Sequence, residues 1–216
     1  MVVHRGRNWG SIGTPDASLP VARDEAHAGQ LIELGIREFV LASGDLLRTV
    51  GASSPTPNCS YRRLPIDLVK VRMVDRRGRS SDHLSMSHCL IRRRFVTGGV
   101  LFGPVTVICN SQYLHGRDVA PRGHPNDGKV ELVEFSEELS FRQRLLVLQR
   151  MRTGDHLPHP FIVVRQVFER VELNAKGFVV IDGCRIGPRM VEFVEPLPDE
   201  VIVWAAAPDG VLDTQE

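Results

Sequence analysis

The run Val105-Thr106-Val107-Ile108-Cys109, followed by the turn cluster Pro125-Asn126-Asp127-Gly128 and a second run Val130-Glu131-Leu132-Val133-Glu134-Phe135, decides the fold class. β-Branched and apolar residues in short runs, bounded by Pro, Asn, Asp and Gly, specify strands joined by tight turns. The same grammar extends outward in both directions. Upstream, Leu84, Met86, His88 and Leu90 alternate with Ser85, Ser87 and Cys89, which predicts a strand with one mostly apolar face. Downstream, runs at Phe161 to Leu173, Phe178 to Ile181, Met190 to Val194 and Val201 to Ala205 are separated by Asn174-Ala175-Lys176-Gly177 and Asp182-Gly183. Many short strands at close spacing predict a mainly β protein, a two-sheet antiparallel β-sandwich. One inserted helix interrupts it. Ser140 and Gln143 form a capping box, and Leu145, Leu146, Leu148 and Met151 are expected to supply its buried side.

The first 22 residues read as an irregular arm, because their Gly and Pro follow neither period. A helix is predicted from about Asp24 to Leu34, closed by Gly35, then a strand at Glu38 to Leu41 and a short helix at Leu46 to Val50. Ala52 to Asn58 is the clearest linker. The chain is therefore divided into an N-terminal arm and small α/β remnant, 1–58, and a β-sandwich domain, 59–216.

With 216 residues, 42% of them hydrophobic, the chain can bury a real core. The 27 basic and 26 acidic residues leave a net charge of +1, so nothing global draws it to polyanions. Locally, ten basic residues against three acidic ones lie between Tyr61 and Phe95. Of these, Arg92, Arg93 and Arg94 are the candidate surface for phosphates, on a lipid headgroup or membrane. No aromatic ladder is interleaved with them, which argues against nucleic acid. An edge of solvated charges that protects a strand from mispairing explains the same arginines. The four cysteines are too scattered for a zinc knuckle or disulfide framework, and no apolar run approaches bilayer length. A cytoplasmic protein, peripheral at a membrane at most, is expected.

Walker and dinucleotide-binding glycine patterns and the nucleophile elbow are absent. Asp155, His156 and His159 form a weak metal candidate around Pro158. His88 reads as a hydrogen-bonded core residue. Two carboxylates stand in turns: Asp127, where a tight turn can surround a hard cation, and Asp182, where a strand end could place a general base. Taken alone, each is more often a plain hairpin turn, because Asp-Gly is a favoured hairpin dipeptide.

The stretch Val105 to Leu132, with Ala120-Pro121 and Asn126-Asp127-Gly128, resembles the bacterial diacylglycerol kinase-like lipid kinase family. Thr153-Gly154-Asp155-His156, the Asp182-Gly183 turn and the entry Leu64-Pro65-Ile66-Asp67-Leu68-Val69-Lys70-Val71 follow in the family's order. The resemblance covers the C-terminal β-sandwich of such kinases, about Leu64 to Ala206, with the N-terminal nucleotide-binding domain largely missing. It implies that Asp182 matches the general base and Asp127 a carboxylate that holds a structural Mg2+. It also implies that Ser43-Gly44-Asp45 is the counterpart of the Gly-Gly-Asp-Gly-Thr nucleotide loop, with Gly44 and Asp45 as the residues facing the nucleotide. Leu46 and Leu47 replace the following Gly and Thr, and Cys184 replaces the family's Glu. ATP binding by the isolated chain is therefore not expected.

The expectation is a lipid-binding pseudoenzyme, or half of a split enzyme completed by a separate nucleotide-binding partner. The alternatives are an active ATP-dependent lipid kinase and a non-catalytic interaction sandwich. A residue placed for catalysis rather than folding also predicts that Asp182→Asn costs within roughly 0.5 kcal/mol.

Overall fold

The computed structural model describes residues 9–57, 59–93 and 101–207. Arg94 lies outside them. In chain order the strands and helices are β1 (Ser11–Gly13), β2 (Val21–Ala22), α1 (Glu25–Glu33), β3 (Glu38–Leu41), α2 (Asp45–Thr49), β4 (Tyr61–Val74), β5 (Ser80–Ser85) and β6 (His88–Arg92). They continue as β7 (Val105–Cys109), β8 (Tyr113–Leu114), β9 (Arg117–Asp118), β10 (Val130–Phe135), α3 (Phe141–Arg150), β11 (Ile162–Val167), β12 (Val171–Ile181) and β13 (Cys184–Ala206).

The protein is mainly β, and its strand pairings are antiparallel except for β2 with β3 and β3 with β13. The main sheet runs β1-β4-β13-β12-β6-β7-β10-β11, with β8 and β9 a separate ribbon. Val69, Val71 and Met73 of β4 share one core with Val130 and Leu132 of β10 and Val167 of β11, although these strands are far apart in the sheet. Such contacts require the sheet to curl over itself, so the two layers of the sandwich are halves of one continuous sheet. Alternation then separates faces: Ile108 and Leu132 join that interior, whereas Val107 and Val133 pack outward beneath α3 with Val147 and Met151.

The N-terminal segment is hydrogen-bonded into this sheet. β1 pairs with β4, and β3 lies parallel to the end of β13. Phe39, Leu41, Leu31, Ile32, Leu46 and Leu47 bury against Leu64, Ile66, Val201 and Val203. Strands thus form at Ser11–Gly13 and Val21–Ala22, within the arm expected to be irregular, because β4 and β3 offer them edges to pair with.

Three other expectations change. The strand predicted across Leu84 to Leu90 is split by a turn at Met86 and Ser87, so Cys89 and Ile91 face the interior rather than His88 and Leu90. The Asn174 turn is a bulge inside β12, with Asn174 at φ 50°, and the runs at Met190 and Val201 are one strand, bulged around Asp199 at φ 56°. In α3 the capping box forms as expected, but the buried residues include Arg144 and Val147, while Leu145 and Leu146 are exposed. The Arg144 guanidinium is accommodated inside because it donates to the carbonyls of Leu139, Gly103 and Ser136, at 3.0, 2.6 and 2.6 Å.

Candidate functional site

α1 and α2 start where the parallel strands β2 and β3 end, the place where open α/β sheets receive ligands. That place is filled from within the chain. Asp24 caps α1 by accepting from His27 N at 2.8 Å. The next residue, Glu25, reaches across to α2, where its Oε1 accepts from Leu46 N at 2.8 Å. Gly44, at φ 133°, lies so close that a Cβ there would stand 2.1 to 2.2 Å from the Glu25 carboxylate. The carboxylate thus occupies the position over the first turn of α2 that an entering phosphate would need. Burial pushes the Glu25 carboxyl above its usual range, with Asp45 and Asp182 adding to the effect and the Leu46 amide opposing it.

Asp45, the other residue expected to face a nucleotide, is turned to the β8–β9 ribbon. Its carboxylate accepts from Gly116 N at 2.8 Å and from His115 N. Arg48 completes the junction by lying 4.3 Å from the Tyr113 ring centroid and donating to Gly116 O at 3.2 Å. Gly44 and Asp45 therefore connect elements of the fold.

Asp182 sits in the turn between β12 and β13, at φ 46° and 5% exposed. Oδ1 accepts from Ser85 Oγ, Ser87 N and His88 N at 3.0, 2.9 and 2.8 Å, and Oδ2 accepts from Met86 N at 2.7 Å. It clamps the turn that splits β5 from β6. Ala26 and Gly29 of α1 lie against this turn, as the close approach of Gly183 to Ala26 shows. Burial raises the Asp182 carboxyl's affinity for a proton, and the four donors oppose that rise. A carboxylate that accepts from four donors helps hold this turn together, so its replacement is expected to have a structural cost.

Asp127 is buried, and its Oδ1 accepts from Lys129 N at 3.1 Å while Lys129 Nζ stands 3.7 Å from Oδ2. Beside it, Asp67 accepts from Gly128 N at 2.8 Å and Asp199 N at 2.9 Å. Burial raises both carboxyls, each lowered in part by these donors. Among the described residues no group of three or more His, Cys, Asp or Glu side chains is arranged to hold a metal ion. Lys129 thus already supplies a donor and a cation to Asp127, and an ion held there would have to compete with that cation. His156 is buried toward Val119 O, at 3.3 Å, and Asp155 is exposed, so the weak metal candidate is not assembled either.

A feature the sequence pattern concealed lies on the outer side of the sheet. Leu90, Val105, Val107, Phe135, Val147 and Met151 line an apolar cavity of about 230 Å3 between β6, β7 and α3. Arg92 and Arg117 enter the same lining. Arg92 Nε is buried and, among the described residues, has no hydrogen-bond partner. Its neighbour Arg93, just past the end of β6, lines a groove with Arg76, Lys176 and Arg189, and its guanidinium stands 3.8 Å from the Glu137 carboxylate. Arg92 and Arg93 thus line different recesses. The cavity depends on α3 and had no signal in the sequence pattern.

No family model matches the sequence, and no curated protein does. Among solved structures, the curled sheet with its appended helices matches a protein provisionally assigned as a diacylglycerol kinase from Bacillus anthracis str. Sterne. The TM-score is 0.55 at 12% identity, over 81% of this chain and 71% of that one. A second such structure from the same organism gives 0.52 at 13% identity, with the same coverage. The likeness is one of architecture, and the chain has a diacylglycerol kinase-like fold.

Proposed function

We propose that this chain is a non-catalytic lipid-binding protein, which holds an anionic amphiphile in the cavity beneath α3 and does not use ATP. The observation that carries this reading is the apolar cavity with the buried, unpartnered Arg92 Nε in its lining. An acyl chain suits the apolar wall, and a carboxylate or phosphate suits the guanidinium, whose buried Nε otherwise lacks a partner among the described residues. The Glu25 carboxylate over α2 supports the absence of a nucleotide site. A split enzyme completed by a nucleotide-binding partner would need Asp182 to reach a substrate, and its burial beneath α1 argues against that.

The test is titration of the full chain with a fluorescent fatty-acid analogue in the absence of membranes, beside calorimetry with magnesium and ATP. Saturable micromolar lipid binding is expected, weakened roughly tenfold in Arg92→Gln as one charge-assisted contact is lost. Val107→Trp, which fills the cavity, should abolish it. No ATP binding is expected. A micromolar dissociation constant for ATP, or phosphate transfer to a lipid hydroxyl, would establish the active kinase instead. Absence of lipid binding by the folded parent would leave an interaction sandwich.

A further inference from the structure

α3 is amphipathic in an inverted sense. Arg144 and Val147 face inward, whereas Phe141, Leu145 and Leu146 are 45%, 46% and 46% exposed. Phe102, itself 51% exposed, stacks on Phe141 with ring centroids 5.6 Å apart, so the apolar surface extends beyond the helix. Scattered exposed leucines need no explanation, but four large apolar side chains on and beside one ten-residue helix are a patch. Along the helix itself the charge has one sign, while the exposed Glu137 and Glu138 lie just before its N-cap. From Phe141 to Arg152 there are four arginines and no acid, and Arg142, Arg150 and Arg152 are exposed. The nearest acids in sequence are Glu138 and Asp155.

We propose that this face of α3, with Phe102, docks the protein on a bilayer containing anionic lipid. Aromatic and leucine side chains beside arginines are what the boundary between headgroups and acyl chains accepts, with the apolar groups inserted and the guanidiniums on the phosphates. A second copy of the chain fits less well. Pairing the same face across a two-fold axis would bring two sets of arginines together. The docking face and the cavity lie on opposite sides of one helix, since Arg144, Val147, Leu148 and Met151 line the cavity. Docking therefore does not depend on the cavity being filled.

Co-flotation of the full chain with vesicles tests this. Binding is expected to vesicles of phosphatidylcholine with phosphatidylglycerol, to fall with added salt, and to be weak on phosphatidylcholine alone. Because Phe141 and Leu145 are exposed, the double variant Phe141→Ser with Leu145→Ser should melt like the parent and lose roughly tenfold or more in partitioning. Arg142→Gln with Arg150→Gln should flatten the salt dependence. Unchanged partitioning in the Ser variant would overturn the proposal. So would a concentration-dependent dimer that this variant dissolves, in a parent that ignores vesicles. Fatty-acid titration without membranes reports on the cavity alone, so failure of either reading is recognised separately.

Discussion

Glu25 and Leu46, 21 residues apart in the chain, are joined by a 2.8 Å hydrogen bond from the Leu46 amide to the Glu25 carboxylate, which ties the start of α2 to the start of α1. An orphan donor at a helix start is normally met by a local cap, and Gly44 has no side chain to provide one. Glu25→Ala should therefore cost about 1 to 2 kcal/mol, from the buried amide left unpaired. Glu25→Gln keeps an oxygen there and should stay within about 0.5 kcal/mol of the parent. Urea denaturation of both variants distinguishes them, and equal losses would remove the carboxylate from this role.

Glu131 gives the stability its clearest pH dependence. It is 1% exposed as the second residue of β10, and burial pushes its carboxyl up to about 7 from an ordinary 4.5, with the Gln166 side chain opposing the shift. Below the ordinary value both states hold the proton, and nothing changes. As pH rises toward 7 the unfolded chain releases it first, so the folded state loses stability, by about 3 kcal/mol in all. Glu131→Gln should abolish that fall and exceed the parent at pH 8 by a similar amount. Chemical denaturation at pH 4.5 and pH 8 checks it. A parent whose Glu131-dependent stability rose with pH would contradict the direction.

What the sequence made legible was local. β3 and β10 begin and end at the residues their patterning predicts, and the Ser140 and Gln143 box opens α3 as expected. What it hid was set by long-range neighbours. The split at Met86 and Ser87 depends on Asp182, 95 residues away for the Ser87 bond. Leu145 and Leu146 are apolar without being core, because the inner side of α3 is taken by an arginine that three loop carbonyls satisfy. The two carboxylates singled out by motif are both real features of turns. Their partners, backbone amides for Asp182 and Lys129 for Asp127, could not be assigned from spacing.

Asp127 supplies a test of the metal implied by resemblance. Lys129 already provides a backbone donor at 3.1 Å and a cation at 3.7 Å from the carboxylate. Asp127→Ala should lower stability by about 1 kcal/mol, and by the same amount in magnesium as in chelator. Thermal melts of parent and variant in both buffers read this directly. A loss confined to magnesium would restore the ion-binding loop.

Asp182 is where the catalytic and structural readings predict different numbers. Its backbone, at φ 46°, is in the left-handed region that Asn tolerates as readily as Asp, so Asp182→Asn leaves backbone strain unchanged. The side chain is another matter. The carboxylate accepts from three backbone amides and the Ser85 hydroxyl, whereas an Asn side chain must turn its own N–H2 toward one set of these donors. Depending on the flip, either Met86 N or the group around Ser87 N and His88 N faces a donor, inside a site closed by α1. The loss should reach about 2 to 4 kcal/mol, against roughly 0.5 kcal/mol for a residue free to serve a substrate. Ser85→Ala removes only one donor and should cost about 1 kcal/mol, while leaving the carboxylate three amides. Hydrogen exchange at the Ser87 and His88 amides locates the effect, because loss of the clamp should speed exchange there before the rest of β6 opens. An Asp182→Asn variant as stable as the parent, with those amides still protected, would mean that the turn holds without the carboxylate.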